Sequence, residues 1–406
     1  MRRLIVWSVP GLILAQVATA QTTLPSDSLT AERVVALARA SAPRVRVAES
    51  RVQEARGKLS GAQALGRENP SIEGVAATEG PERRTEWELT VPLQFGLGRS
   101  SGIGVARAEL SREEQLLADA RRGAVGAALA AYYRVLHAER SLALAKERLA
   151  VAQEIRRTAS ERHRTGDVPR LELLLAETEE VRAESEVLSE EQGLAREKIR
   201  LVTSLGLHSA AGLAVTGDLA DRGLLGRTLA SPPPDRRADV LAAEQELRAA
   251  GSSRTLARSE YLPGLDFLLH YGHDDGQSLV KPGVGVTVPL FQYGQESRKA
   301  AAARESRAQT ELSAARNAAS VEVEEFQRVY DAATSAASQL ASRAMPRVEE
   351  SEGMIRESYR AGKINLPAML FVRRDLLNAR REYLDRLLEA ALAAIDLAVA
   401  KGHFQR

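Results

Sequence analysis

The residues best suited to chemistry in this chain of 406 residues fall in small, scattered groups. His270, His273, Asp274 and Asp275 bring imidazole and carboxylate donors of the kind that bind divalent cations. They lie loosely spaced on and after an alternating segment, which fixes no coordination geometry; a solvated hairpin end accounts for them better than a metal centre. Glu86 and Glu88, two residues apart, share one face of any strand and could line a wet wall. Gly362-Lys363-Ile364 lacks both the glycine spacing and the Ser or Thr of a phosphate-binding loop. No G-x-S-x-G, H-E-x-x-H or dinucleotide fingerprint occurs. The chain has no cysteine, which removes disulfides, thiolate metal sites and cysteine nucleophiles. His137 and His163 read as packing or surface residues of helices. The residues therefore point to no enzyme and no cofactor.

Charge narrows the class further. The 56 basic and 54 acidic residues leave a net charge of +2, which gives no argument for nucleic acid. Aromatic residues make up only 4%, while alanine, glutamate, arginine and leucine abound, a composition suited to long, closely packed helices. Arg2-Arg3, an apolar run over 4–14 and Ala18-Thr19-Ala20 have the form of a secretory signal peptide over 1–20. The run is about half the roughly 20 apolar residues a membrane span needs. An exported chain with no such span elsewhere must enter a membrane, if it does, through strands.

The elements that would position these residues occur twice. Thr90-Val91-Pro92-Leu93 returns as Thr287-Val288-Pro289-Leu290, at an offset of 197. The stretch from Glu161 to Val168 aligns with that from Glu357 to Ile364 at 196, as do Gly98 with Gly294 and Leu205-Gly206 with Lys401-Gly402. One offset held over so many anchors marks a tandem duplication. We place the first repeat at 21–206, a linker at 207–235 ending in three prolines, and the second repeat at 236–406.

Each repeat shows the same order. A helix capped by Thr30 and interrupted at Pro43 corresponds to one from Asp239 to about Glu260. Two alternating segments follow. Trp87, Leu89, Val91 and Leu93 face one way, with Glu86, Glu88 and Thr90 opposite; Leu265, Phe267, Leu269 and Tyr271 oppose Asp266 and His270. The first strand of the first repeat, about 71–78, is weakly marked. Then comes a proline-free helical stretch over about 100–163, some 96 Å at 1.5 Å per residue. Its counterpart covers about 295–359, with a break expected at Pro346. Apolar residues recur at sevens, as in Leu129, Leu136, Ala143 and Ala150, and in Leu376, Tyr383, Ala390 and Leu397. Gly166 and Gly362 close the rods, and second helices return over 168–204 and 364–400.

Two strands per repeat give four per chain, too few for a transmembrane barrel, which starts at eight. Several chains could share one. Here the residues resemble the outer membrane efflux protein (TolC) family over nearly the whole mature chain, and most nearly its CzcC-like heavy-metal branch. The matches are Glu68-Asn69-Pro70-Ser71-Ile72, the paired strand ends around Pro92 and Pro289, the stretch from Arg237 to Glu244, and Tyr359-Arg360-Ala361-Gly362 followed by Asn378-Ala379-Arg380. The resemblance implies a mainly α fold with a small β part: hairpins forming a trimeric α-helical barrel, with a shared 12-stranded β-barrel in the outer membrane. It implies an outer-membrane exit duct for metal cations or drugs. Its partners would be outer membrane lipid, a periplasmic adaptor and an inner-membrane pump of the RND type. A periplasmic adaptor or coiled-coil scaffold is the alternative, although an adaptor would carry one hairpin rather than two.

Carried over by position, the periplasmic tips that would meet the adaptor are Arg164, Thr165, Gly166, Asp167 and Val168, and Arg360, Ala361, Gly362, Lys363 and Ile364. Some members carry an aspartate ring six and nine residues beyond the second tip glycine. Those positions are Ala368 and Phe371 here, so that ring is absent, while Glu172 occupies the first repeat's equivalent of the former. Glu172, Ala368 and Phe371 are the candidates for a constriction, and Glu86 and Glu88 for the barrel lumen.

Overall fold

The computed structural model describes residues 28–64, 69–79, 82–93, 96–210, 212–221, 223–231, 236–274, 277–289, 291 and 293–405. The signal peptide, Asp275 and the three prolines of the linker lie outside them. In chain order the elements are α1 (Ala31–Ser41), α2 (Pro43–Gln63), β1 (Ser71–Glu79), β2 (Glu82–Leu93), α3 (Leu97–Arg164) and α4 (Arg170–Leu205). A short α5 (Gly223–Ala230) leads into the second repeat: α6 (Ala238–Ser259), β3 (Gly264–Asp274), β4 (Gln277–Thr287), α7 (Gln295–Gln339), α8 (Met345–Arg360) and α9 (Leu366–Ala400). Thr30 caps α1 as expected, its hydroxyl accepting from the Arg33 amide.

The duplication is written in backbone geometry. Four helix ends close in the same way, with a left-handed glycine and two reversed hydrogen bonds. At the first tip Gly166 N donates to His163 O and Asp167 N to Arg162 O; at the second, Gly362 N donates to Tyr359 O and Lys363 N to Ser358 O. The hairpin bases repeat it, Gly206 with Leu207 and Gly402 with His403. These four glycines have φ between +69° and +83°, where a side chain strains the backbone.

α3 has 68 residues, about 100 Å of unbroken helix. Its alanines permit close approach to α2, α6, α4 and α9, and its buried face changes as the neighbour changes. Leu129 and Leu136 are buried, but Ala143 and Ala150 are exposed; from Ala138 onward the buried residues run Ala138, Ala145, Ala152, Ala159. The heptad expected from sequence is therefore out of phase in the lower rod. In the second repeat Ala390 and Leu397 are buried and Leu376 and Tyr383 half-buried. The second rod is interrupted by a π-helical turn, Leu340–Ala344, upstream of Pro346 rather than at it. Proline lacks an N–H and its ring crowds the carbonyl four residues back; one widened turn before it relieves both.

The main core lies halfway down the rods, where Val125, Leu129 and Tyr132 of α3 meet Leu201 and Leu205 of α4 and Ile395 of α9. The segment expected as a linker is packed into this core through Leu207, Leu213, Leu219 and Leu225, and Val215 bridges to Leu29. Nearer the sheet, Glu246 of α6 joins the repeats. It accepts from Arg112 of α3 at 2.6 Å and Arg304 of α7 at 3.1 Å. Burial opposes its ionisation, yet the two arginines outweigh that and hold its pKa below the ordinary carboxylate value. A depressed folded pKa stabilises above the unfolded value and loses that contribution as pH falls through the folded one. Stability is expected to fall on acidification below about pH 4.5. Glu246→Gln should cost roughly 2–3 kcal/mol at pH 7 and flatten that acid limb in pH-dependent thermal melts. An unchanged limb would exclude Glu246 as a contributor.

Candidate functional site

The four strands form one antiparallel sheet in the order β1-β2-β3-β4, with β2 and β3 joining the two repeats. β1, weakly marked in sequence, pairs along its full length from Ser71↔Thr90 to Glu79↔Glu82. Register puts Ile72, Leu89, Leu269 and Pro282 side by side, and likewise Gly74, Trp87, Tyr271 and Val280. Val91, Phe267 and Val284 continue that face. It is apolar and open: Trp87 is 52% exposed and Val284 67%.

The other face gathers the charges. Glu73, Glu88, His270 and Lys281 occupy one row across all four strands. His270 Nδ1 lies 3.9 Å from Glu88 Oε2, and Glu86 is paired with Arg84 at 2.6 Å. Glu86 and Glu88 thus share the polar face, as their spacing predicts. His270 is mid-strand rather than near the hairpin end. His273 is on the opposite face with Tyr271, its Nδ1 3.0 Å from Ser278 Oγ, so the two histidines diverge and cannot share an ion. Asp274 closes β3. Among the described residues no cluster of three His, Asp or Glu could hold a metal. No helix among them is long and apolar enough to cross a membrane.

At the far end the tips are built from short-range bonds. Thr165 Oγ1 donates to Arg162 O and to Asp167 Oδ2, while Arg164 and Asp167 stand exposed. His163 Nδ1 donates to Val168 O at 3.0 Å, which fixes its tautomer and seats the buried Val168. At the second tip Arg360 ends α8, Ala361, Gly362 and Lys363 are exposed, and Ile364 is half-buried. Asn365 then caps α9 by accepting from Ala368 N at 3.0 Å. Ile155, Ala159 and Ala176 of the first hairpin pack on Tyr359, Leu366 and Met369 of the second. Glu172 is half-buried near Tyr359, whose hydroxyl pKa is raised by burial first and then by that carboxylate. Ala368 is exposed, and Phe371 is 59% exposed with the Arg374 guanidinium 5.2 Å from its ring centre.

Sequence reasoning missed two groupings. The row from Glu73 to Lys281 needs the strand register, and the electrostatic influence of Glu172 on Tyr359 joins positions 187 residues apart.

A chain with two such hairpins, and a sheet apolar on one face and charged on the other, is of the class of outer-membrane channel subunits. A profile of the outer membrane efflux protein family matches residues 34–207 and 234–403, and the chain belongs to that family. It is similar to the cobalt-zinc-cadmium resistance protein CzcC of Cupriavidus metallidurans, with 23% identity over 403 residues, covering 96% of this chain and 95% of that protein. Among solved structures it resembles CusC, with a TM-score of 0.75 and 19% identity over 92% of each chain. It also resembles the open state of the Neisseria gonorrhoeae MtrE outer membrane channel, with a TM-score of 0.75 and 15% identity, covering 100% of this chain and 98% of that one. The protein is an outer-membrane efflux channel reaching into the periplasm, not an enzyme.

Proposed function

We propose that three copies of this chain close a 12-stranded barrel in the outer membrane and a tunnel of long helices beneath it. The duct would pass metal cations delivered by a periplasmic adaptor and an inner-membrane RND-type pump. The observation that carries this reading is the open sheet. Its strands have 9, 12, 11 and 11 residues, the length a tilted membrane strand requires. Among the described residues nothing covers its apolar face, and β1 and β4 each have one unpaired edge, which lipid cannot hydrate. Pairing β4 of one copy with β1 of the next removes every edge and turns Glu73, Glu88, His270 and Lys281 to the lumen.

The rods favour the same assembly. Leu174, Val181 and Leu188 recur at sevens on α4 and are 46%, 63% and 61% exposed, a seam suited to a neighbouring hairpin. On this reading the turns from Arg164 to Val168 and from Arg360 to Ile364 meet the adaptor. Glu172, Ala368 and Phe371 stand where the tips would narrow the tunnel. The metal substrate rests on the likeness to CzcC.

Native mass spectrometry of protein extracted in detergent from the outer-membrane fraction tests the assembly. A three-chain particle is expected. A monomer, or a dimer with eight strands, would overturn it.

A further inference from the structure

Beside the second tip turn, α3, α8 and α9 flank a partly open cavity of about 400 Å³, whose lining reaches Ala361 and Gly362. Its apolar lining includes Val151 and Ile155 of α3 and Ile355 of α8. The remainder brings in Arg162, Arg356, Arg373 and Tyr359. Glu147, Glu154 and Glu352 also line it, but they have partners of their own: Arg380 holds Glu352 at 2.6 Å and reaches Glu147 at 3.4 Å, and Glu154 is also engaged. The arginines are different. Among the described residues, neither the Arg356 nor the Arg373 guanidinium makes a hydrogen bond or an ion pair. Burial pushes the Arg373 guanidinium below its ordinary pKa, with nearby Glu352 only partly opposing. Tyr359 is 7% exposed, and among the described residues its buried hydroxyl has no hydrogen-bond partner, with the Arg162 guanidinium nearby.

An exposed and a half-buried guanidinium without an ion-pair partner, beside a buried hydroxyl without a hydrogen bond, leave donor capacity that a ligand can take up. The volume suits a small organic molecule, and the lining supplies both an apolar wall and convergent donors. We propose that this cavity binds a soluble organic anion. Arg356, Arg373 and the Tyr359 hydroxyl hold its carboxylate or phosphate head, and Val151 and Ile355 cover its apolar body. Guanidinium groups suit such heads because their N–H groups match two oxygens at once. Outer-membrane lipid is not the source: Ile155 lies about 87 Å along α3 from its start below the sheet. The ligand comes from the aqueous periplasm, and it ties α3 to α9 beside the small cluster around Tyr359 that also joins the hairpins. The site is built within one chain, so it stands whether or not three copies assemble.

Isothermal titration of the full-length protein in neutral detergent with 2-naphthoate tests this, with uncharged 2-naphthamide as the control. Saturable binding of one 2-naphthoate per chain is expected. Arg373→Gln should weaken it tenfold or more, and Arg356→Gln, on an exposed part of α8, should weaken it severalfold without touching the packing. Both variants are compared in the same micelles at matched thermal melts, so partitioning into detergent cancels. Absence of saturable heat with the parent protein would overturn the proposal. So would 2-naphthamide binding as tightly as 2-naphthoate, or unchanged affinity in both variants.

Discussion

Leu89→Arg is expected to abolish accumulation of the channel in the outer membrane, while Thr90→Arg, one residue away, leaves assembly intact and alters conduction. Leu89 stands on the apolar face, between Ile72 and Leu269 in the row that ends at Pro282. An arginine facing lipid at mid-membrane depth costs roughly 2–4 kcal/mol. A trimer would meet that cost three times in one cooperative insertion. Thr90 stands between Ser71 and Leu268 on the opposite face, next to the row of Glu88 and His270. There an added charge meets water and its own counter-charges. Quantitative immunoblotting of outer-membrane fractions reads assembly, and reversal potentials in planar bilayers read ion preference. Both variants assembling equally well would mean that the apolar face does not contact lipid. Loss of both would mean that the sheet is sensitive to bulk rather than to sidedness.

Much of this was legible in the sequence because a duplicated chain carries an internal control. Glycines separated by 196 residues predict matching helix ends, and all four matched ends close in the same way. Alternation of Trp87, Leu89, Val91 and Leu93 against Glu86 and Glu88 is likewise read directly, since side chains on a strand change face at each residue. The heptad phase of α3 was not legible beyond Leu136. A straight helix drifts about 20° per heptad against a strict seven-residue repeat. Drift is not the cause here, because the buried stripe keeps its sevens from Ala138 through Ala145, Ala152 and Ala159; it steps two positions on as α3 changes partners along its length. The charged row was hidden for another reason: Glu73, Glu88, His270 and Lys281 align only in one register, and a slip of one residue would scatter them. The cavity near Tyr359 draws on three helices, and no spacing within any one of them announces it.

The matched glycines also separate two roles that sequence cannot. Gly206→Ala at the hairpin base is expected to be far more damaging than Gly166→Ala or Gly362→Ala at the tips. All three have positive φ, and a side chain held in that region costs about 1–2 kcal/mol. At both tips a Cβ would meet nothing within 4 Å, so that strain is the whole effect. At Gly206 the Cβ would lie 2.5 Å from the Ser41 carbonyl oxygen and 3.1 Å from Pro43 Cδ. Neither neighbour can swing aside as a flexible side chain would. The Ser41 hydroxyl donates to Leu205 O at 2.7 Å, which pins the α1–α2 junction on the end of α4. Relief requires moving that junction, and with it the fully buried Val45, out of the packing against α3. The combined cost should exceed about 3 kcal/mol, the range of a broken core contact rather than a surface change. Thermal melts followed by circular dichroism should show a clear drop for Gly206→Ala and small, similar drops for the two tip variants. Equal drops at all three positions would mean that backbone strain alone governs these glycines. The expected inequality would instead make the base the rigid anchor, leaving the tips free to vary in shape at little cost to the fold.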